Sequence, residues 1–179
     1  MIDPATATGR VKALFSEVAA RRGRVPAMMR MLGHSPAALA GYLSFSTHLS
    51  GGVLPAALRE RIAIAVAAAN ECPPCLAAHT ALGQGEGLST QELANARHAE
   101  SEDPAITTAL RFALAVMRSV GHVPDRALAD VRAAGYDDAA IMEIVATVFI
   151  NVFTNAVNHV AGTVPDKLQG SGQLWPGVQ

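Results

Sequence analysis

Nowhere in the 179 residues do β-branched and polar side chains alternate over a useful length, whereas apolar residues return every three or four positions along most of the chain. That period suits helices and leaves no strand to build a sheet from. Val11, Leu14, Phe15 and Val18 form an i, i+3, i+4, i+7 stripe, which predicts an amphipathic helix over about 10–21 that stops near Gly23. Start signals accompany the period. Ser35-Pro36 reads as an N-cap followed by an N1 proline, Ser89-x-x-Glu92 as a capping box, and Asp103-Pro104 as a second cap and proline pair. The same logic places helices at roughly 55–70, 74–85, 89–98, 104–120, 125–134 and 138–163, with turns at the intervening glycines. The expected fold class is all-α.

Half of the residues are apolar (50%), enough to bury one core and few for two, so a single domain over 1–179 is expected, with an N-terminal arm over about 1–9. From about 167 the chain turns to Gly, Gln and Pro, "LQGSGQLWPGVQ", the composition of an extended arm. Trp175 there is either an anchor on another subunit or a loosely packed tail side chain. Fourteen basic and fifteen acidic residues leave a net charge of -1 without any Lys/Arg block, which argues against nucleic acid or an anionic membrane as the main partner. The opening "MIDPATATGRVKALFSEV" has no signal-peptide pattern, and the longest apolar run, Ile62–Ala69, is far short of the roughly 20 residues of a membrane span. A soluble, cytoplasmic protein is the expectation.

Both cysteines lie in "ERIAIAVAAANECPPCLAAHTALG", two residues apart, and in a reducing compartment such a pair reads first as redox chemistry or a metal site. Pro73 and Pro74 push the residues before them out of the helical region, so a helix should begin at about Pro74 with Cys72 outside it and Cys75 in its first turn. First-turn amides and the helix dipole favour a thiolate at Cys75, and Cys72 is within reach for a disulfide. His79 follows Cys75 by four residues and shares its face. The helix before and this one are joined too closely to do anything but turn back near Glu71, which puts His79 opposite Ala63 and Glu60 about 4.5 Å further along the axis at ~1.5 Å per residue. The order Glu60, His79, Cys75, Cys72 is that of orienter, base, attacking thiol and resolving thiol. A zinc site using the same four residues is the functional competitor, and an ordinary ion pair of Glu60 with Arg59 or Arg61 the structural one.

The spacing of Glu60, Cys72-Pro73-Pro74-Cys75 and His79 resembles the alkylhydroperoxidase D-like (AhpD-like) branch of the carboxymuconolactone decarboxylase superfamily. The likeness runs through "LPAALRERIAIAVAAANECPPCLAAHTALGQGEGLS" and on into "RFALAVMRSVGHVPDRALADVRAAGYDDAAIMEIVATVFINVFTNAVNHVAGT", roughly residues 40–165. It implies an AhpD-like all-helical antioxidant enzyme, a homo-oligomer of three or six chains, that reduces small-molecule hydroperoxides with no cofactor or metal beyond its dithiol. In such an enzyme Cys75 attacks the peroxide and becomes a sulfenic acid, Cys72 resolves it to a disulfide, and His79 with Glu60 relays protons. A lipoyl- or thioredoxin-type dithiol donor then reduces the disulfide. This chain departs from better-studied members in placing two prolines between the cysteines, where others can carry a polar or aromatic residue. The decarboxylase branch lacks the paired cysteines, so their presence counts against lactone chemistry.

A second polar cluster, "NVFTNAVNHVAGT", sets Asn151, Asn155, Asn158 and His159 along one face of an apolar helix. Buried amides need partners. Loop backbones or a subunit interface would supply them, or else Asn155 or His159 lines a pocket over the dithiol. The remaining histidines, His34, His48, His98 and His122, fall near helix ends or turns and receive no role. Leu39, Tyr42 and Leu43 form an apolar face that either packs inside the chain or is covered by another copy.

Overall fold

The computed structural model describes residues 1–165, so the tail around Trp175 lies outside the described residues. Among the described residues the chain is helical without a strand: α1 (Gly9–Arg22), α2 (Ala27–Leu32), α3 (Pro36–Ser50), α4 (Ala56–Ala69), α5 (Pro73–Gly85), α6 (Thr90–Ala96), α7 (Pro104–Ser119), α8 (Asp125–Ala133) and α9 (Asp138–Ala161). The caps are those the sequence marks. Ser35 accepts from the Ala38 amide at 3.2 Å and Asp103 from the Ala105 amide at 2.8 Å, each satisfying a first-turn donor that the helix itself cannot. α1 ends at Gly23, whose φ of 73° is easy only for glycine.

Two details differ from expectation. α2 is an unanticipated helix of six residues, too short for a stripe to be read. It forms because Pro26 presets its entry and because Met29 and Leu32 bury themselves with Phe15, Val18 and Leu39 of α1 and α3. The capping box at Ser89 is half formed. Ser89 accepts from the Glu92 amide at 3.1 Å, but the Glu92 carboxylate does not return to Ser89. It binds Arg61 at 2.8 Å, the Ser101 hydroxyl at 2.7 Å and the Glu102 amide at 2.8 Å, a charged and buried set that outcompetes one solvent-facing backbone donor.

α4 is the central element. Ile62 through Ala67 are each no more than 2% exposed, so this stretch of the helix is buried on every side, and α4 packs against α5, α6, α7 and α9. One core joins Leu58, Ile62 and Val66 of α4 to Leu110 and Ala113 of α7 and Ile144 and Val148 of α9. A second gathers α1, α2 and α3 around Leu39, with Val157 of α9 against it. Leu39 is wholly buried, and Tyr42 and Leu43 are partly buried against the same cluster within the chain.

By length and composition α9 is long and apolar enough to cross a membrane. Here it is a core helix, packed against α2, α3, α4, α5 and α7, and it buries Thr147, Asn151, Thr154, Asn155 and Asn158. Between the two cores the chain reverses from α4 into α5 at Glu71, a non-glycine residue at φ 50°, and the Cys72 amide closes the turn onto the Ala67 carbonyl at 2.9 Å. Gly83 lets the far end of α5 approach closely, since a Cβ there would stand 2.8 Å from Leu93 Cδ2.

Candidate active site

The prolines act at the start of α5 nearly as their chemistry requires. Cys72 is the N-cap residue with φ -104° and ψ 87°, and Pro73 and Pro74 occupy the first two helical positions, so the helix begins one residue earlier than expected. Cys75 is therefore in the first turn. The two sulfurs are joined as a disulfide with their Cα atoms 5.3 Å apart, and Cys72 and Cys75 are 2% and 4% exposed. Ala67 and Leu76 pack around them.

His79 and Glu60 meet across the α4–α5 pair. Nδ1 of His79 lies 2.8 Å from Oε2 of Glu60. An ionised carboxylate can only accept, so Nδ1 carries the hydrogen, and in the neutral ring Nε2 is left with its lone pair. Glu60 is available for this because the neighbouring arginines are engaged elsewhere: Arg61 with Glu92, and Arg59 with the Leu54 carbonyl. The ordinary ion pair with Arg59 or Arg61 is thus not the one formed.

In this disulfide form the four residues named for zinc are not gathered as a ligand set. The sulfurs are bonded to each other and Glu60 to His79, and among the described residues no group of three or more His, Cys, Asp or Glu is arranged to hold a metal ion.

Cys75 and His79 open on one cavity of about 680 Å³, walled by α1, α2, α3, α5 and the end of α9. Its lining is largely apolar, with Val18, Met28, Met29, Leu43 and Leu82 among it, and Arg21, Arg22 and Arg24 stand on one side. Tyr42 lines it too. Burial pushes the Tyr42 phenol up, the Arg22 charge opposing this and Glu60 adding to it, so at neutral pH the cavity holds a protonated O–H.

On the asparagine face the backbone reading holds for His159 and for Asn151, whose Nδ2 donates to the Thr147 carbonyl at 2.8 Å, and neither Asn155 nor His159 is the residue over the dithiol. Asn155 is held by Asn70, whose Nδ2 donates to its Oδ1 at 2.9 Å, and His159 Nε2 lies 2.8 Å from the Asn70 carbonyl. Both brace the end of α4. Asn158 is the residue that reaches the dithiol, with Nδ2 3.2 Å from Cys75 Sγ. The i, i+4, i+7 stripe showed a polar face, but which of its members meets sulfur depends on how α9 docks.

Residues 36–119 match the family model of the carboxymuconolactone decarboxylase family. In overall shape the chain is similar to an alkylhydroperoxidase AhpD core, a peroxidase-related protein from Ralstonia eutropha JMP134, with TM-score 0.83 and 23% identity over 93% of this chain and 90% of that one. The chain thus has an AhpD-like fold, and residues 36–119 within it carry the carboxymuconolactone decarboxylase family match. An alkyl hydroperoxide reductase of Mycobacterium tuberculosis is 34% identical over 82 residues, 45% of this chain, which spans about a quarter (24%) of that relative's length. The AhpD-like fold is shared with the debrominase Bmp8 bound to 2,3,4-tribromopyrrole, at TM-score 0.74 and 18% identity over 88% of this chain and 86% of that one.

Proposed function

We propose that this AhpD-like chain is a thiol-dependent peroxidase that reduces organic hydroperoxides. The observation that carries the reading is the cavity itself, where one member of a cysteine pair, Cys75, faces the same space as a histidine held by a carboxylate. In the reduced protein His79 Nε2 takes the Cys75 thiol proton, the thiolate attacks the distal oxygen of ROOH, the O–O bond breaks, and the alkoxide leaves as ROH with that proton returned from His79. Glu60 keeps that ring oriented. The Cys72 thiolate then attacks the Cys75 sulfenic acid, a second proton releases its oxygen as water, and the disulfide forms. A dithiol donor of lipoyl or thioredoxin type returns two electrons and two protons by exchange. The sum is ROOH plus dithiol giving ROH, water and a cyclic disulfide. The apolar lining and the volume favour a substrate with a hydrocarbon body over hydrogen peroxide.

The test is mass spectrometry of the reduced Cys72→Ser protein after peroxide. A sulfenic acid at Cys75 is expected, and one found only at Cys72, in the Cys75→Ser protein, would reverse the roles. Because a debrominase shares the fold, the parent protein with both cysteines is assayed with a hydroperoxide and with 2,3,4-tribromopyrrole. Debromination without peroxide turnover would overturn the reading.

A further inference from the structure

We propose that Asn158 is a catalytic residue whose side-chain amide stabilises the Cys75 thiolate in place of the helix amides that Pro73 and Pro74 remove. This rests on the reading of Cys75 as the attacking thiol. A thiolate at a helix start is ordinarily held by the free N–H groups of the first turn. Four such donors exist in principle, from the N-cap residue to the third helical position. In α5 two of them belong to prolines and do not exist, and a third, that of Cys72, is bound to the Ala67 carbonyl at 2.9 Å. The N-terminus of α5 is therefore poor in donors at the place where the chemistry needs them.

α9 supplies one. Asn158 is 7% exposed, and its Nδ2 approaches Cys75 Sγ at 3.2 Å from across the fold. The Thr163 hydroxyl, just past the α9 C-cap Gly162, donates to Asn158 Oδ1, so the amide oxygen has its own partner while Nδ2 faces the sulfur. Nδ2 is a donor only. A donor of this kind interacts weakly with a disulfide sulfur or a neutral thiol and strongly with a thiolate, so it favours the charged form. The other charged or titratable groups around this space are Glu17, Arg21, Arg22, Arg24, Tyr42 and His79, with Glu60 behind His79. The hydrogen bond to Sγ comes from Asn158, and it is short, buried and aimed.

Two asparagines of the α9 face meet the α4–α5 pair. Asn155 fixes the turn of the α4–α5 pair through Asn70, and Asn158, one turn on, addresses the sulfur that this turn presents.

The experiment measures Cys75 ionisation in reduced Cys72→Ser protein, from thiolate absorbance and from the rate of iodoacetamide alkylation across pH, with Asn158→Leu or Thr163→Val added. Asn158→Leu is expected to raise the titration midpoint by about one pH unit or more, the scale of one hydrogen bond to a buried charge, and to slow alkylation at neutral pH about tenfold. The loss should disappear at a pH high enough to ionise the thiol fully, which a loosened fold would not produce. Thr163→Val keeps the amide but releases its oxygen, and a smaller shift in the same direction is expected. Midpoints equal to the parent in both variants would overturn the role. A midpoint shift in a protein inert to every hydroperoxide would leave the role standing and remove the peroxidase reading, and the reverse pair of results would do the opposite.

Discussion

At the scale of single residues, the pair Glu60 and His79 is the part of the site with the plainest chemistry. Glu60 bonds the ring and does not line the cavity, so on the proposed peroxidase reading its role is to position His79. His79→Ala is expected to slow peroxide-dependent thiol loss about a hundredfold, the usual size of a lost proton-transfer group, and Glu60→Gln about tenfold with little change in KM. The double variant should be no slower than His79→Ala alone, since nothing remains for the carboxylate to orient. Stopped-flow rates for the four proteins check this, and additive losses would show that Glu60 works independently. The spacing from Glu60 to His79 was legible in the sequence because it needs only helix rise and a tight reversal. Asn158 was not, since three amides on one face are equivalent until another helix is laid against them.

At the scale of elements, α4 and α6 are tied by the Arg61–Glu92 pair, whose side chains are 12% and 10% exposed. Burial pushes the Glu92 carboxyl up, but the Glu102 amide, the Ser101 hydroxyl and the Arg61 guanidinium outweigh it and hold the group below its ordinary value. A carboxyl lowered in the folded state stabilises the fold above its unfolded value, near 4.5, and loses that contribution as pH falls through the folded one. Glu92→Gln is expected to cost about 3 kcal/mol at neutral pH, because Arg61 is left buried without its counter-charge. Urea unfolding at neutral and acid pH should show the gap between parent and variant narrowing below about pH 4.5. A constant gap would mean that the carboxylate charge does not matter to the fold. The capping-box motif was readable at Ser89, but the fate of its glutamate lay with an arginine 31 residues away in sequence.

At the scale of the whole molecule, the cavity is expected to select its substrate. Peroxide consumption with a dithiol donor should be at least about tenfold faster in kcat/KM for an alkyl hydroperoxide with an aromatic or long aliphatic body than for hydrogen peroxide, each buried methylene contributing about 0.8 kcal/mol. Equal rates would mean that the apolar walls do not touch the substrate. The proposal of a trimer or hexamer is checked by sedimentation at micromolar concentration. Phe45, Leu82 and Phe153 are each about two-fifths exposed. A monomer at that concentration would remove the proposal.

What the sequence determined by itself were the short-range matters: the all-α class, most helix starts, the reversal at Glu71, the dithiol at the head of α5 and the meeting of Glu60 with His79. Each follows from backbone geometry and capping within a few residues or across one tight turn, where the number of alternatives is small. The tertiary structure decided the rest. It made a core helix of α9, whose composition alone would also suit a membrane, gave Glu92 to Arg61, and chose Asn158 for the sulfur. These outcomes are competitions among distant polar groups for few buried partners, and docking of helices settles which partner is within hydrogen-bond reach.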